Sequence, residues 1–275
     1  DLQVPLLIHG NLSANMHFWD FVNDRGLFVN RYGHMELQTG EIPYAQTYRP
    51  EGRQNRMVAL KDFLKTMDTN RKSTNQTSPT SNWIAFDKHF GLLHPDLVKD
   101  MSTPPLFESI CLNRGMVDLK RLYKGEQQLS IGGRSSGAPL HSHVAAFNVV
   151  FAGVKRWTLF PPGHLDKPDD IETIFNGKVY EESFRSDAGW GLGERLSREE
   201  HELAVHSQLG VEVLQFPGDV LFIPSNWGHA TENLCETVSI AHEFGCLDDH
   251  SFKRLLTLPV MQSGGPKFKR SVGYL

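Results

Sequence analysis

From residue 127 to about residue 244 the chain is a succession of short apolar segments, each closed within four to eight residues by a turn signal. The segments fall at 127–131, 138–143, 146–152, 155–160, 212–216, 220–223, 229–232 and 237–244, separated by Gly132-Gly133, Ala152-Gly153, Pro161-Pro162 and Pro217-Gly218-Asp219. Runs this short cannot be ordinary helices, and parallel strands would need a helical crossover between neighbours. The pattern therefore predicts a mainly β fold, an antiparallel sandwich or barrel in which alternate side chains of each strand fill a shared interior.

The N-terminal third reads differently. Phe18, Phe21, Val22, Leu27, Phe28 and Tyr32 recur at helical spacing with a break at Asp24, which predicts two helices, the second capped by Asp24. Short strands are expected at 34–37 and 44–48, and Val58, Leu60, Phe63, Leu64 and Met67 mark one face of a further helix. Residues 69–82 are almost wholly polar and are expected to form an exposed loop. An apolar pattern resumes at 83–86, and Pro95 is placed to start a helix with Leu97, Val98 and Met101 inward, ended by Pro104-Pro105. The expected organisation is an α+β cap over 1–104 belonging to the same domain, a barrel over 105–246 with a lid-like insertion at 163–210, and an extension over 247–275. The insertion is acidic early (Asp166, Asp169, Asp170), carries Trp190 among glycines, and ends in a predicted helix at 197–206. Lys267, Lys269 and Arg270 near the end of the extension read as a solvated segment.

The 275 residues are 39% hydrophobic, enough for a substantial core, and no apolar run approaches the length of a membrane span. With 28 Lys+Arg against 32 Asp+Glu the net charge is -4, so no broad cationic field is available for nucleic acid. Cys111, Cys235 and Cys246 are odd in number and lack Cys-x-x-Cys spacing, which leaves room for one disulfide at most and suggests no thiolate metal site. Asn11 and Asn75 lie in glycosylation sequons, and position 1 is Asp rather than Met, so further chain upstream is expected.

Chemistry concentrates in three places. In Pro139-Leu-His141-Ser-His143 the two histidines are two apart, a spacing that in a strand puts both imidazoles on one face. A third, His229, follows a Pro-Gly-Asp turn, an apolar strand and Pro224, with Asn233 four residues beyond it. Between them lies Lys155, in register with Trp157 and Leu159 on one face of a strand; a lysine turned into a barrel requires an anion. His164, His201, His206, His242 and His250 lack this strand context and read as ordinary surface or core residues. Trp157, Trp227, Phe147 and Phe151 read as barrel packing.

The segment from Gly218 to Asn233 resembles the second metal motif of the cupin superfamily. Together with Lys155-Arg-Trp157 before Pro161-Pro162, the upstream His141, and Trp227-Gly-His229, it resembles the jumonji-C branch of the iron(II)/2-oxoglutarate oxygenases. The likeness extends back through Pro104-Pro105, 129–132 and Ser136-Gly137 to the entry strand at 4–8. It implies a double-stranded β-helix, His141 and His229 as metal ligands, and Lys155 as partner of the distal 2-oxoglutarate carboxylate. It also implies a protein or peptide as substrate or partner. A luminal member of the family is the basis for expecting the secretory pathway, with a cytoplasmic or organellar location as the alternative.

Two departures matter. The family's second ligand is Asp or Glu, and here it is His143; Ala138 stands where many members carry a hydroxyl. Three imidazoles can hold iron(II), zinc or nickel, so the expected metal set is His141, His143 and His229, with Lys155 and Asn233 toward the cofactor. Replacing an anionic ligand by imidazole adds a unit of positive charge, which favours a dianionic cosubstrate but disfavours the higher oxidation states of iron. Slow, altered or absent turnover follows. Two alternatives remain for the ligand set, since Ser142 could turn His143 away and leave the position to water or to an acid such as Asp187 or Glu182. Three functional readings compete: a protein hydroxylase, a non-catalytic barrel that binds partner proteins, and a three-histidine cupin dioxygenase independent of 2-oxoglutarate. Net acidity and the lack of reader modules point away from a chromatin demethylase.

Overall fold

A computed structural model describes residues 4–9, 23–40, 56–72, 83–87, 127–143, 146–163, 190–191, 195–224, 226–243 and 272–274. Two antiparallel sheets face each other. In chain order the strands are β1 (Leu6–Ile8), β2 (Glu36–Gly40), β3 (Arg56–Ala59), β4 (Ile84–Asp87), β5 (Gln127–Gly132), β6 (His141–Ser142), β7 (Ala146–Ala152), β8 (Lys155–Phe160), β9 (Trp190–Gly191), β10 (Val211–Gln215), β11 (Val220–Ile223), β12 (Gly228–Asn233), β13 (Thr237–Glu243) and β14 (Val272–Tyr274). The major sheet runs β14-β1-β11-β7-β13-β5-β4-β2-β3 and the minor sheet β10-β8-β12-β6-β9. Along the chain β6, β7, β8 and then β10, β11, β12, β13 alternate between the sheets, the winding of a double-stranded β-helix. The fold is cupin-like and mainly β.

The Gly153 turn between β7 and β8 is not a hairpin but a corner that carries the chain from one sheet to the other. Gly153 has φ +81°, and a Cβ there would meet the Glu236 carbonyl oxygen at 2.1 Å. The strand expected at 138–143 shrinks to β6, because Pro139 has no N–H to give; the preceding residues reach β12 irregularly, Thr231 N–H donating to Ala138 O and Asn233 N–H to Ser136 O. At the other end of the major sheet β14 pairs with β1, so residues 272–274 of the expected extension are part of the fold.

Three helices are described: α1 (Arg25–Tyr32), α2 (Leu60–Lys72) and α3 (Arg198–His206). Asp24 caps α1, its carboxylate accepting from Leu27 N–H at 2.9 Å, and Ser197 with Glu200 forms a capping box on α3. Helix α2 runs four residues, 69–72, into the polar stretch expected to be loop. Phe28, Leu60, Phe63 and Leu64 of α1 and α2 share one buried cluster with Phe147, Val149, Val220 and Phe222, so the cap packs on the outer face of the major sheet. A second cluster of Leu7, Trp157, Leu159, Val213, Leu221, Ile223 and Trp227 fills the barrel end of the interior. Among the described residues no helix is long and apolar enough to cross a membrane. The expected helices at 14–22 and 95–101, the strand at 44–48, most of the insertion, Asp187, Glu182, both sequons, Cys111, Cys246 and the basic tail residues lie outside the described residues.

Candidate metal and anion site

The minor sheet brings the histidines together. His141 on β6 is the direct cross-strand partner of His229 on β12, and His143, two residues on, projects to the same side. One ring nitrogen from each of the three lies within 4.8 Å of the others, and the Nε2 atoms of His143 and His229 are 3.1 Å apart. Metal–nitrogen bonds of about 2.0–2.1 Å place ligand atoms roughly 3.0–3.4 Å apart, so small side-chain rotations complete such a site. Ser142 is buried on the opposite side, and His143 is not turned away.

The outer nitrogens are already committed. His141 Nδ1 bonds the Pro139 carbonyl at 2.7 Å and His229 Nδ1 bonds the Trp227 carbonyl at 3.0 Å. A carbonyl can only accept, so in both rings Nδ1 carries the proton and Nε2 is left with the lone pair that a cation would take. Burial, reinforced by the charge of His143, lowers the His141 pKa to about 3, and burial with His141 and His143 holds His229 well below the usual histidine range. Both are neutral imidazoles at physiological pH, the form that binds metal.

These rings line a cavity of about 560 Å³, open solvent at its mouth included. Lys155 lies in its wall, only 4% exposed. Its Nζ is 5.7 Å from the centre of the Trp157 ring, and that ring is 6.0 Å from the His229 ring. Burial lowers the Lys155 pKa to about 7. The cavity lining contains no Asp or Glu among the described residues, so none of them supplies the ammonium with a counter-ion.

Asn233 sits elsewhere. It pairs in register with Lys155, but its Nδ2 donates to Ser136 Oγ at 2.9 Å, and it is not among the lining residues; it ties the wall to the 133–136 turn. Two other polar residues do line the cavity. Asn148 on β7 is buried with its Oδ1 unpartnered among the described residues, and Thr231 on β12 accepts from Ala138 N–H at 2.8 Å with its own proton free to turn. Asn148 is signalled in sequence as the one polar residue of the run at 146–152, and Thr231 as the residue two beyond His229 on the same strand face. Thr231 thus supplies a hydroxyl beside Ala138. Phe147 and Phe151 pack in the outer core, Phe147 also bordering the cavity, and Trp227 packs in the inner one.

The chain is similar to several known proteins. A family of cupin-like domains matches residues 23–244. Lysine-specific demethylase JMJ21 of Arabidopsis thaliana is 26% identical over 208 residues, covering 74% of this chain and 20% of that protein. The 2-oxoglutarate and iron-dependent oxygenase JMJD4 of Mus musculus is 27% identical over 189 residues, covering 61% of this chain and 38% of its own length. Among solved structures, the ribosomal oxygenase YcfD from Escherichia coli, in complex with cobalt and succinic acid, aligns over 95% of this chain and 54% of its own with 12% identity and a TM-score of 0.42. The chain spans well under half of the two curated relatives. It belongs to the cupin-like domain family, with JmjC oxygenases among its homologues.

Proposed function

We propose that the chain is a JmjC-type iron(II)/2-oxoglutarate-dependent oxygenase that hydroxylates a protein side chain through a three-histidine metal site. The observation that carries this reading is the joint occurrence, in one cavity, of three converging imidazoles and a buried ammonium with no carboxylate among the described lining residues. His141, His143 and His229 would hold iron(II), which when bound couples reduction of dioxygen to oxidative decarboxylation of 2-oxoglutarate and oxidation of a C–H bond. Pro139 and Trp227 carbonyls orient two of these rings and keep the ligand nitrogens unprotonated. Lys155 binds the distal carboxylate of the cosubstrate, and the anion restores the proton that burial weakens. Asn148 and Thr231 offer an amide and a hydroxyl to the same anion. The names of JMJ21 and JMJD4, a lysine-specific demethylase and an oxygenase, support the reaction class and a protein substrate.

Anaerobic iron(II) with N-oxalylglycine, a non-reacting analogue of 2-oxoglutarate, is expected to raise the melting temperature, and Lys155→Ala to remove the analogue's share of the shift. No shift from either ligand sinks the reading.

A second reading, a non-catalytic barrel that binds partner proteins, is favoured by His143 and by the lack of a carboxylate in the described lining. Succinate release separates the two. A silent native protein that gains turnover as His143→Asp supports loss of catalysis, whereas turnover in the native protein refutes it.

A further inference from the structure

In strand register Trp157 lies between Lys155 and the position facing His229, its indole centre 5.7 Å from the Lys155 ammonium and 6.0 Å from the His229 ring. An indole on a strand can pivot about its side-chain bonds, and its single polar atom is the handle that fixes it. Here Trp157 Nε1–H donates at 2.8 Å to Gln215 Oε1. Gln215 is fully buried, and its Nε2 donates to two backbone carbonyls, Asn148 O at 2.9 Å and Asp219 O at 3.0 Å. The arrangement fixes the amide's orientation, because two carbonyls can only accept and the indole can only donate. One side chain on β10 therefore joins β8, which carries Lys155 and Trp157, to β7, which carries Asn148, across the gap between the two sheets.

We propose that Gln215 is a positioning residue that locks the Trp157 indole and so sets the placement of the Lys155 ammonium relative to the three histidines, tuning the cavity's affinity for a dicarboxylate. This rests on the oxygenase reading above. Removing Gln215's amide leaves the buried indole N–H without its acceptor and takes one donor from each of two carbonyls, so the ring swings toward any other acceptor and the wall beside Lys155 loses its shape. The triad does not depend on the same bond, since the outer nitrogens of His141 and His229 are held by the Pro139 and Trp227 carbonyls. The effect is therefore selective for the anion.

The test is calorimetric titration of manganese(II), then of N-oxalylglycine into the manganese-loaded protein, for the native chain and the variants Lys155→Ala, Gln215→Leu, Trp157→Phe and the double variant of the last two. Gln215→Leu and Trp157→Phe are each expected to weaken analogue binding about tenfold with manganese affinity unchanged, and the double variant to be no worse than either single one. Analogue affinity within twofold of native in Gln215→Leu, multiplying losses in the double variant, or a parallel fall in manganese affinity overturns the proposal while leaving the oxygenase reading standing. If Gln215→Leu does not fold, Trp157→Phe decides alone, and unchanged analogue affinity there overturns it. A native protein that binds manganese but not the analogue, or binds it equally well as Lys155→Ala, overturns the oxygenase reading and this proposal with it.

Discussion

Lys155 is the residue whose environment conflicts most with its chemistry. An ammonium held at 4% exposure with no carboxylate among the described cavity residues is an unfavourable charge, which burial answers by lowering its pKa from 10.5 to about 7. The sign of the linkage follows. Between pH 7 and 10.5 the unfolded chain holds a proton that the folded chain has released, so the folded state is penalised most at and below pH 7 and gains stability as pH rises through that interval. Urea unfolding of the metal-free protein is expected to show this rise. Lys155→Met should flatten it and stabilise the protein at pH 6 by a few kcal/mol. Native and variant curves that run parallel would mean the ammonium reaches water. A side chain that destabilises its own empty barrel is the kind retained for a ligand.

At the scale of elements, the corners matter more than the strands. The β7–β8 corner takes the chain from the strand of Asn148 to the strand of Lys155, and it turns on Gly153 at φ +81°, with the Glu236 carbonyl where a Cβ would stand. Gly153→Ala combines a left-handed backbone with a backbone clash, and a loss of about 3 kcal/mol in chemical denaturation is expected. A loss below about 0.5 kcal/mol would show that the β12–β13 turn yields easily. Helix α3 braces the same strand from outside, where the buried His201 Nδ1 and Thr158 Oγ1 meet at 2.6 Å. The end of the insertion thus backs the wall whose inner face carries Lys155 and Trp157. His201 has no strand context in the sequence, and its burial is a product of the packed helix.

In the whole molecule, cap and barrel share a core, since Phe28 of α1 and Leu60 and Leu64 of α2 are buried in one cluster with Phe147 and Phe222 of the major sheet. One cooperative unfolding transition is expected, followed equally by far-ultraviolet dichroism and by tryptophan emission. Phe28→Ala should lower its free energy by about 3–5 kcal/mol, and two separated transitions would contradict a common core. Much of this architecture is local and therefore readable in the residues. The strands at 146–152, 155–160 and 220–223 coincide with their apolar runs, and Asp24 and Ser197 stand at helix starts, because period, punctuation and capping act over a few neighbours. The pairing of His141 with His143 on one face is equally local. What the residues could not disclose depends on register between strands distant in sequence: that His229 lies directly across from His141, that His143 turns inward, that Asn148 and Thr231 enter the cavity while Asn233 holds its wall, and that Gln215 joins the two sheets beneath Trp157. Alternation along a strand says which residues share a side, but only the closing of one sheet over the other decides which of them meet.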